Sequence, residues 1–538
     1  MENNQSKSKS FVLGAAILGV AGLITKLLGA AFRIPLTNII GASGMGYYQT
    51  AYPIYVLLLT ISTSGIPTAI SRMVAERRAQ DQYYEAHRVF KTAFKLMLCI
   101  GLITSIGVLI LAPTICDWQL EPESVYALRS IAPALLLCPI MSCLRGFFQG
   151  RRTMAPTALS QVVEQIFRVG LGLLLSYLLL SKGPQYAAAG ASSGASFGAA
   201  FGLLTVAIIY FAKLKDIKAE YGENLLAVNS EKKLLKEILF IAVPITLGAA
   251  IMPILNSIDT LIVKRRLISI GYDSEIARSL FGELTGMAAP IINFPMVFTQ
   301  AVCMSIVPVV TDAWKRGDKD FVKYNCELGL RYALIIMLPC AGGLIALSQP
   351  IMKLLYPRQI ESAISAAGCL AIYAVGMIFL SVIHTLTGLL QGIGKQNIPV
   401  INLAVGAAVK VVLTYTLTGI PAINVKGAAM GTVGAYIVAA LLNYIAAKKY
   451  VGAKTNVKLT IVKPLISAVV MSAIAWLVYE AAISHFGNAI STLLSIAVGV
   501  VVYVIMIFAT KAITGADLDR VPKLRKVAKL LRKLKLVR

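Results

Sequence analysis

LRGFFQG, residues Leu144–Gly150, returns 242 residues later as LTGLLQG, Leu386–Gly392. Each copy closes an apolar run, a proline follows six or seven residues on (Pro156 and Pro399), and a new apolar run begins. The offset persists: AAAGASSGASFGAAFG near Ala187 is echoed by KGAAMGTVGAYIVAA near Lys426. Upstream, Ser64 and Pro67 of STSGIPTAIS match Ser305 and Pro308 of MSIVPVV at 241, and basic pairs follow both, Arg77-Arg78 and Lys315-Arg316. Several matches at one offset indicate a chain built from two similar halves.

The material of those halves is membrane-spanning helix. Of 538 residues 57% are hydrophobic and 14% charged, with mean hydropathy +0.75; soluble proteins carry about a quarter charged residues. Apolar runs of about twenty residues, enough to cross roughly 30 Å of hydrocarbon, recur from end to end. About fourteen spans are expected, at 11–32, 46–74, 89–113, 125–149, 155–181, 186–212, 236–263, 279–311, 322–347, 361–391, 398–418, 426–447, 459–482 and 486–511. The run from Phe11 reads as the first span, because no small-residue cleavage site follows it.

Lys and Arg crowd the loops after even-numbered spans (Arg77, Arg78, Arg151, Arg152, Lys213, Lys315, Lys448), while an odd loop carries Asp117, Glu121 and Glu123. The positive-inside rule then puts both termini in the cytoplasm. Six spans, an even number, separate repeat partners, so the halves share one orientation. A parallel repeat about an axis along the membrane normal suits a transporter with an alternately exposed cavity; a duplicated channel or structural protein is the competing reading. The expected fold class is an all-α integral membrane protein. Its parts are an N-terminal lobe of spans 1–6 (1–213), a cytoplasmic linker (214–235), a C-terminal lobe of spans 7–12 (236–450), an extra pair of spans 13–14 (451–512) and a basic tail (513–538). The tail, DLDRVPKLRKVAKLLRKLKLVR, reads as an interfacial helix on anionic membrane lipids.

Several functions are argued against. The net charge of +26 belongs to these loops and tail, with no basic groove or aromatic platform for nucleic acid. Eight cysteines, mostly inside apolar runs and without a CxxC pair, suggest neither disulfides nor a zinc site, so no metal is expected. No GxxxxGK[ST] loop, HExxH or GxSxG motif occurs; GIGK at Gly392 lacks the spacing. The chain is read as no enzyme and as needing no cofactor, with coupling to membrane potential, sodium or protons left open.

Charges inside spans carry the functional expectation, since each is costly there. Lys26 and Arg33, seven residues apart, share a face of the first span about 10 Å apart along the axis and suit a polyanion; the plainer reading is snorkelling to the interface. In span seven, Asn256 and Asp259 precede Lys264, Arg265 and Arg266, three cations on the outer side against the charge rule. Asn256, Asp259, Arg265 and Arg266 are taken as ligand-binding or gating residues, against an internal ion pair that neutralises a buried acid. Glu164 and Arg168 in span five have the spacing of a helical ion pair. Lys410, their counterpart in span eleven, has no acid beside it and joins them as a candidate cavity or gating group. His384 is a lone intramembrane histidine, either a proton relay or a packing hydrogen bond.

Fourteen spans in two six-span lobes plus an extra pair, with TKLLGAAFRIPLTNIIGASGMGYYQTAYPI (Thr25–Ile54) and NSIDTLIVKRRL (Asn256–Leu267), resemble the lipid II flippase and stage V sporulation protein B family, within the multidrug/oligosaccharidyl-lipid/polysaccharide flippase superfamily. The resemblance covers essentially the whole chain. It implies a V-shaped pair of lobes around a cationic cavity in a bacterial cell membrane. Lipid II, a polyprenyl pyrophosphate bearing a glycan, would be turned from the cytoplasmic to the outer leaflet, with spans thirteen and fourteen forming a groove for the prenyl tail. The matching cations are Lys26, Arg33 and Arg265 or Arg266. Gram-negative relatives carry a further arginine in span two, where TAYPIYVLLLTIS (Thr50–Ser62) has none. Some relatives use sodium at acidic groups of spans seven and eleven; here Asp259 is present, and Lys410 is placed to replace the ion. Another polyprenyl-linked glycan of spore cortex or surface polysaccharide, a multidrug/cation antiporter, and a non-transporting scaffold for cell-wall synthesis proteins are the alternatives.

Overall fold

The computed structural model describes residues 2–221, 228–453 and 455–512. Among them every regular element is helical. The first part of the chain comprises α1 (Glu2–Thr63), α2 (Gly65–Ala79), α3 (Tyr83–Trp118), α4 (Val125–Gly150), α5 (Ala155–Leu179), α6 (Pro184–Ala212) and the short α7 (Leu214–Tyr221). Then follow α8 (Glu231–Ser269), α9 (Ser274–Gly282), α10 (Ala289–Lys315), α11 (Lys319–Ala346), α12 (Ser348–Leu355), α13 (Ile360–Gly392), α14 (Asn397–Thr418), α15 (Lys426–Val451) and α16 (Lys463–Ala509). Glu283–Ala288 and Lys458–Val462 are π-helical turns.

Eleven helical stretches among the described residues are long and apolar enough to cross a membrane. This differs from the expected count of fourteen in three places: α1 and α16 each carry two of the expected apolar runs, and α8, which holds the expected seventh span, is not among the eleven. α1 breaks at Gly41 (φ 70°, ψ −179°) and α16 at Gly487 (φ 68°, ψ 175°), a backbone region essentially reserved for glycine. The basic tail expected at 513–538 and linker residues 222–227 lie outside the described residues.

By contact the chain groups into two compact units, Met1–Ile268 with Tyr272–Gly282, and Glu283–Arg538 with Ser269–Gly271. The dividing point at Gly282 lies downstream of the linker expected at 214–235, and α8 groups with the first unit. Inside each unit the repeat is visible. α4 and α13 end at Gly150 and Gly392, α5 and α14 begin at Ala155 and Asn397, and α6 and α15 begin at Pro184 and Lys426, all 242 residues apart. The echoed motif owes its glycines to packing. A Cβ on Gly146 would stand 2.8 Å from the Pro67 carbonyl oxygen, and one on Gly388 2.8 Å from that of Cys303. Pro67 and Cys303 are 236 residues apart, so packing pairs the upstream segments five residues away from the register in which Pro67 matches Pro308.

Tyr55, Phe147, Phe148 and Ile70 are buried in the core of the first unit, and Val310, Leu386, Leu389 and Ala447 in that of the second. Large apolar side chains also point outward, Phe240 at 82% exposure and Ile103 at 70%; in a spanning helix these meet hydrocarbon rather than water.

The segment after span six is fastened by charge. Arg151 donates to both carboxylate oxygens of Glu220 on α7 at 2.8 Å, Arg78 pairs with the same carboxylate, and Arg77 reaches Glu237 at 2.7 Å. Burial pushes the Glu220 carboxyl up, but the two guanidiniums outweigh it and hold the group below its usual range.

Candidate functional site

After the break at Gly41, α1 carries Tyr48, Tyr52 and Tyr55 at intervals of four and three, which places them on one helical face. Tyr48 and Tyr52 stack at 5.3 Å, and Tyr55 lies 5.9 Å from Tyr52. Two cations converge on the middle ring. The guanidinium carbon of Arg33, from α1 before the break, is 5.6 Å from the Tyr52 centroid, and that of Arg168, from α5, is also 5.6 Å away. Arg168 donates from Nη2 to the Tyr52 hydroxyl at 3.1 Å. Such cation–π contacts contribute about 0.5–2 kcal/mol each, which offsets part of the repulsion of holding two guanidiniums on one ring.

Glu164, one turn before Arg168, takes Arg145 of α4 as its ion-pair partner at 2.9 Å, and Arg145 Nε donates to Ser160 at 2.7 Å. The i,i+4 spacing of Glu164 and Arg168 thus does not decide the pairing. Arg145 neutralises the acid, and Arg33 and Arg168, both half-buried, bring two positive charges to the Tyr52 ring. Their fork-shaped donor sets match phosphate oxygens. Lys26 lies on the same helix, but its side chain is outside the described residues. Arg145 is the residue that sequence reasoning missed. Its signal was in the repeat itself, where LRGFFQG has arginine and LTGLLQG has Thr387.

The cations after span seven have a different setting. Lys264 is 1% exposed, whereas Arg265 is exposed and Arg266 half-buried. Lys264 Nζ donates to Thr50 Oγ1 at 2.5 Å and lies 3.5 Å from Glu121, itself 2% exposed. Arg278 of α9 meets the other oxygen of Glu121 at 2.7 Å and covers the Tyr47 ring at 4.2 Å. The Tyr47 hydroxyl donates to Glu123, and Arg265 donates to the Trp118 carbonyl at 3.2 Å. Close approach is possible because Gly282 lies where a Cβ would stand 2.1 Å from the Ala42 carbonyl oxygen. Lys264, Arg278, Glu121 and Glu123 form a charge-balanced network holding α8 and α9 to the α3–α4 loop. Asp259 is half-buried and Asn256 exposed on α8, upstream of the network.

In the second unit Lys410 is half-buried on α14, at the position 242 residues after Arg168. His384 Nδ1 lies 3.0 Å from Thr299 Oγ1. An apolar groove of about 440 Å³ runs between α10, α11, α12 and both arms of α16, lined by Phe294, Pro339, Leu344, Met471, Gly499 and Tyr503 among others. Tyr503 satisfies its hydroxyl on the Ile335 carbonyl at 2.5 Å, so the groove wall is apolar despite it. Among the described residues no three His, Cys, Asp or Glu side chains gather to hold a metal.

Sequence and fold comparisons agree with this architecture. The curated lipid II flippase MurJ of Bacillus subtilis is 29% identical over 477 residues, covering 86% of this chain and 87% of its own length. Stage V sporulation protein B of the same organism is 26% identical, over 96% of this chain and 98% of its own. A lipid II flippase MurJ structure in an inward closed conformation superposes with TM-score 0.67 at 16% identity, over 91% of this chain and 98% of that one. An inward-facing multidrug resistance MATE family transporter gives TM-score 0.69 at 16% identity, over 82% and 98%. A MatE family model also matches residues 284–416. The chain is a multi-pass membrane protein. The model of the polysaccharide biosynthesis protein family matches residues 11–314, more than half the chain, and the chain belongs to that family.

Proposed function

We propose that the protein is a flippase for a polyprenyl pyrophosphate-linked glycan, lipid II in the first instance, moved from the cytoplasmic to the outer leaflet by alternating exposure of a cationic cavity. The observation that carries this reading is the pair of guanidiniums, Arg33 and Arg168, meeting on Tyr52 with Glu164 already neutralised by Arg145. Two fixed cations in a low-dielectric setting attract a pyrophosphate far more strongly than in water. The apolar groove along α16 supports the other end of the substrate, since isoprenoid units need an unbroken apolar wall. The names of the curated relatives point the same way. Arg168 supplies from span five a cation that span two lacks in TAYPIYVLLLTIS.

The test is complementation of cells depleted of their own lipid II flippase, at matched expression. Wild type should restore growth, and Arg33→Ala and Arg168→Ala should not. Lys26→Ala and Arg265→Ala report whether those positions share the load. Failure of the wild type despite good expression would turn the reading to another polyprenyl-linked glycan.

The MATE neighbours favour a second reading, multidrug/cation antiport. A cation carrier needs acids at its site, whereas the cluster around Tyr52 brings two arginines together and has its one acid, Glu164, paired with Arg145. Uptake or efflux of a cationic dye that depends on Asp259 would favour the antiporter.

A further inference from the structure

Glu283, the first residue of the second unit's long segment, opens the π-helical turn Glu283–Ala288 ahead of α10. π turns are rare and concentrate at functional sites. The Glu283 side chain is 5% exposed. The hydroxyls of Ser362 and Ser365, one turn apart at the start of α13, hydrogen-bond to its carboxyl, while Oε2 is sealed from solvent with no hydrogen-bond partner. The turn's own carbonyl at Met287 is already taken by the Tyr356 hydroxyl at 3.1 Å. Cys369 of α13 interacts electrostatically with Glu283 and with Lys426 of α15, which is exposed. No Lys, Arg or His among the described residues forms an ion pair with Glu283.

An ionised carboxylate in such a place lacks the counter-charge that burial demands. A divalent ion would over-neutralise a single carboxylate, whereas one monovalent cation balances it. The donor set is all oxygen, a carboxylate plus two hydroxyls whose lone pairs remain available, which suits a hard cation. Ser362, half-buried, and Ser365, exposed, lie in the first two turns of α13, so the route for an ion to the carboxyl is from the end of the span rather than through hydrocarbon. We infer that Glu283, Ser362 and Ser365 form a binding site for one small monovalent cation, Na⁺ being the probe. The site includes neither Asp259 nor Lys410, and it stands independently of which substrate is carried.

The experiment uses the full-length purified protein in nanodiscs at pH 8. Thermal unfolding is recorded in NaCl and in equal concentrations of KCl or choline chloride, alongside direct ²²Na⁺ binding. The wild type should show a saturable, Na⁺-specific rise in Tm and bind about one ion per chain, the number that neutralises one carboxylate. Glu283→Gln should lose both responses while remaining folded, and Ser362→Ala should shift the half-saturating Na⁺ concentration upward. Equal Tm in all salts, Na⁺ binding retained in Glu283→Gln, or a stabilisation that follows pH and ignores Na⁺ would each overturn the inference. None of these readouts involves transport, so failure of the flippase reading would leave them unchanged.

Discussion

At Tyr52 two arginines from different helices meet on one ring. Arg33 was visible in the sequence as a charge in an apolar run, but Arg168 was legible only as a neighbour of Glu164. Spacing along one helix could not reveal that Arg145 of α4 would take the acid. Losing one charge-assisted pair costs about 1.5–3 kcal/mol, so Arg168→Ala should weaken pyrophosphate binding about ten- to a hundredfold, read by titration of a short-chain polyprenyl pyrophosphate. Arg168→Lys should recover little, because an ammonium cannot reproduce the fork. The buried network behaves differently. Glu121→Gln leaves Lys264 and Arg278 without their shared anion and should destabilise by about 3–5 kcal/mol, seen as a lower unfolding midpoint. Adding Lys264→Met should cost less than the two single changes together, since the pair shares one interaction.

At the scale of elements, apolar run lengths made the helices legible, but not where one helix absorbs two runs. The breaks at Gly41 and Gly487 carry positive φ, and nothing in the local composition distinguishes them from the many other glycines of the chain. Gly41→Ala should cost about 1–3 kcal/mol through backbone strain alone, measurable as a fall in Tm. Gly19→Ala, with open space around its Cβ position and no positive φ, serves as the control. α7 is held by salt bridges rather than by packing of a long apolar face. Because the folded-state pKa of Glu220 is depressed, its contribution is complete above the unfolded carboxylate value of about 4.3 and is lost as pH falls through the lower folded value. Hydrogen-exchange protection across Leu214–Tyr221, measured against the slower intrinsic rate in acid, should therefore fall selectively as the pH drops, and Glu220→Gln should show the reduced protection already at neutral pH. Unchanged exchange in that variant would contradict the salt-bridge account.

At the scale of the whole chain, duplication was the most legible feature. The 242-residue offset recurs at helix ends and starts, and its paired glycines, Gly146 and Gly388, are fixed by close backbone approach, which tolerates no side chain. The differences between halves were harder to read and matter more for function. The first unit has Arg145, Glu164 and Arg168 where the second has Thr387, Gly406 and Lys410, so charge is concentrated in one copy. The second unit instead carries α16 and its apolar groove. A lipid-linked pyrophosphate glycan has the same division between anion and hydrocarbon. The direct test is reconstitution in vesicles with fluorescent lipid II, following how much label becomes reachable from the opposite leaflet. Wild type should transfer the lipid, and the Arg33→Ala/Arg168→Ala variant should fall to the rate of protein-free vesicles while keeping its fold. Transfer by the double variant at the wild-type rate would contradict the claim that these guanidiniums hold the pyrophosphate.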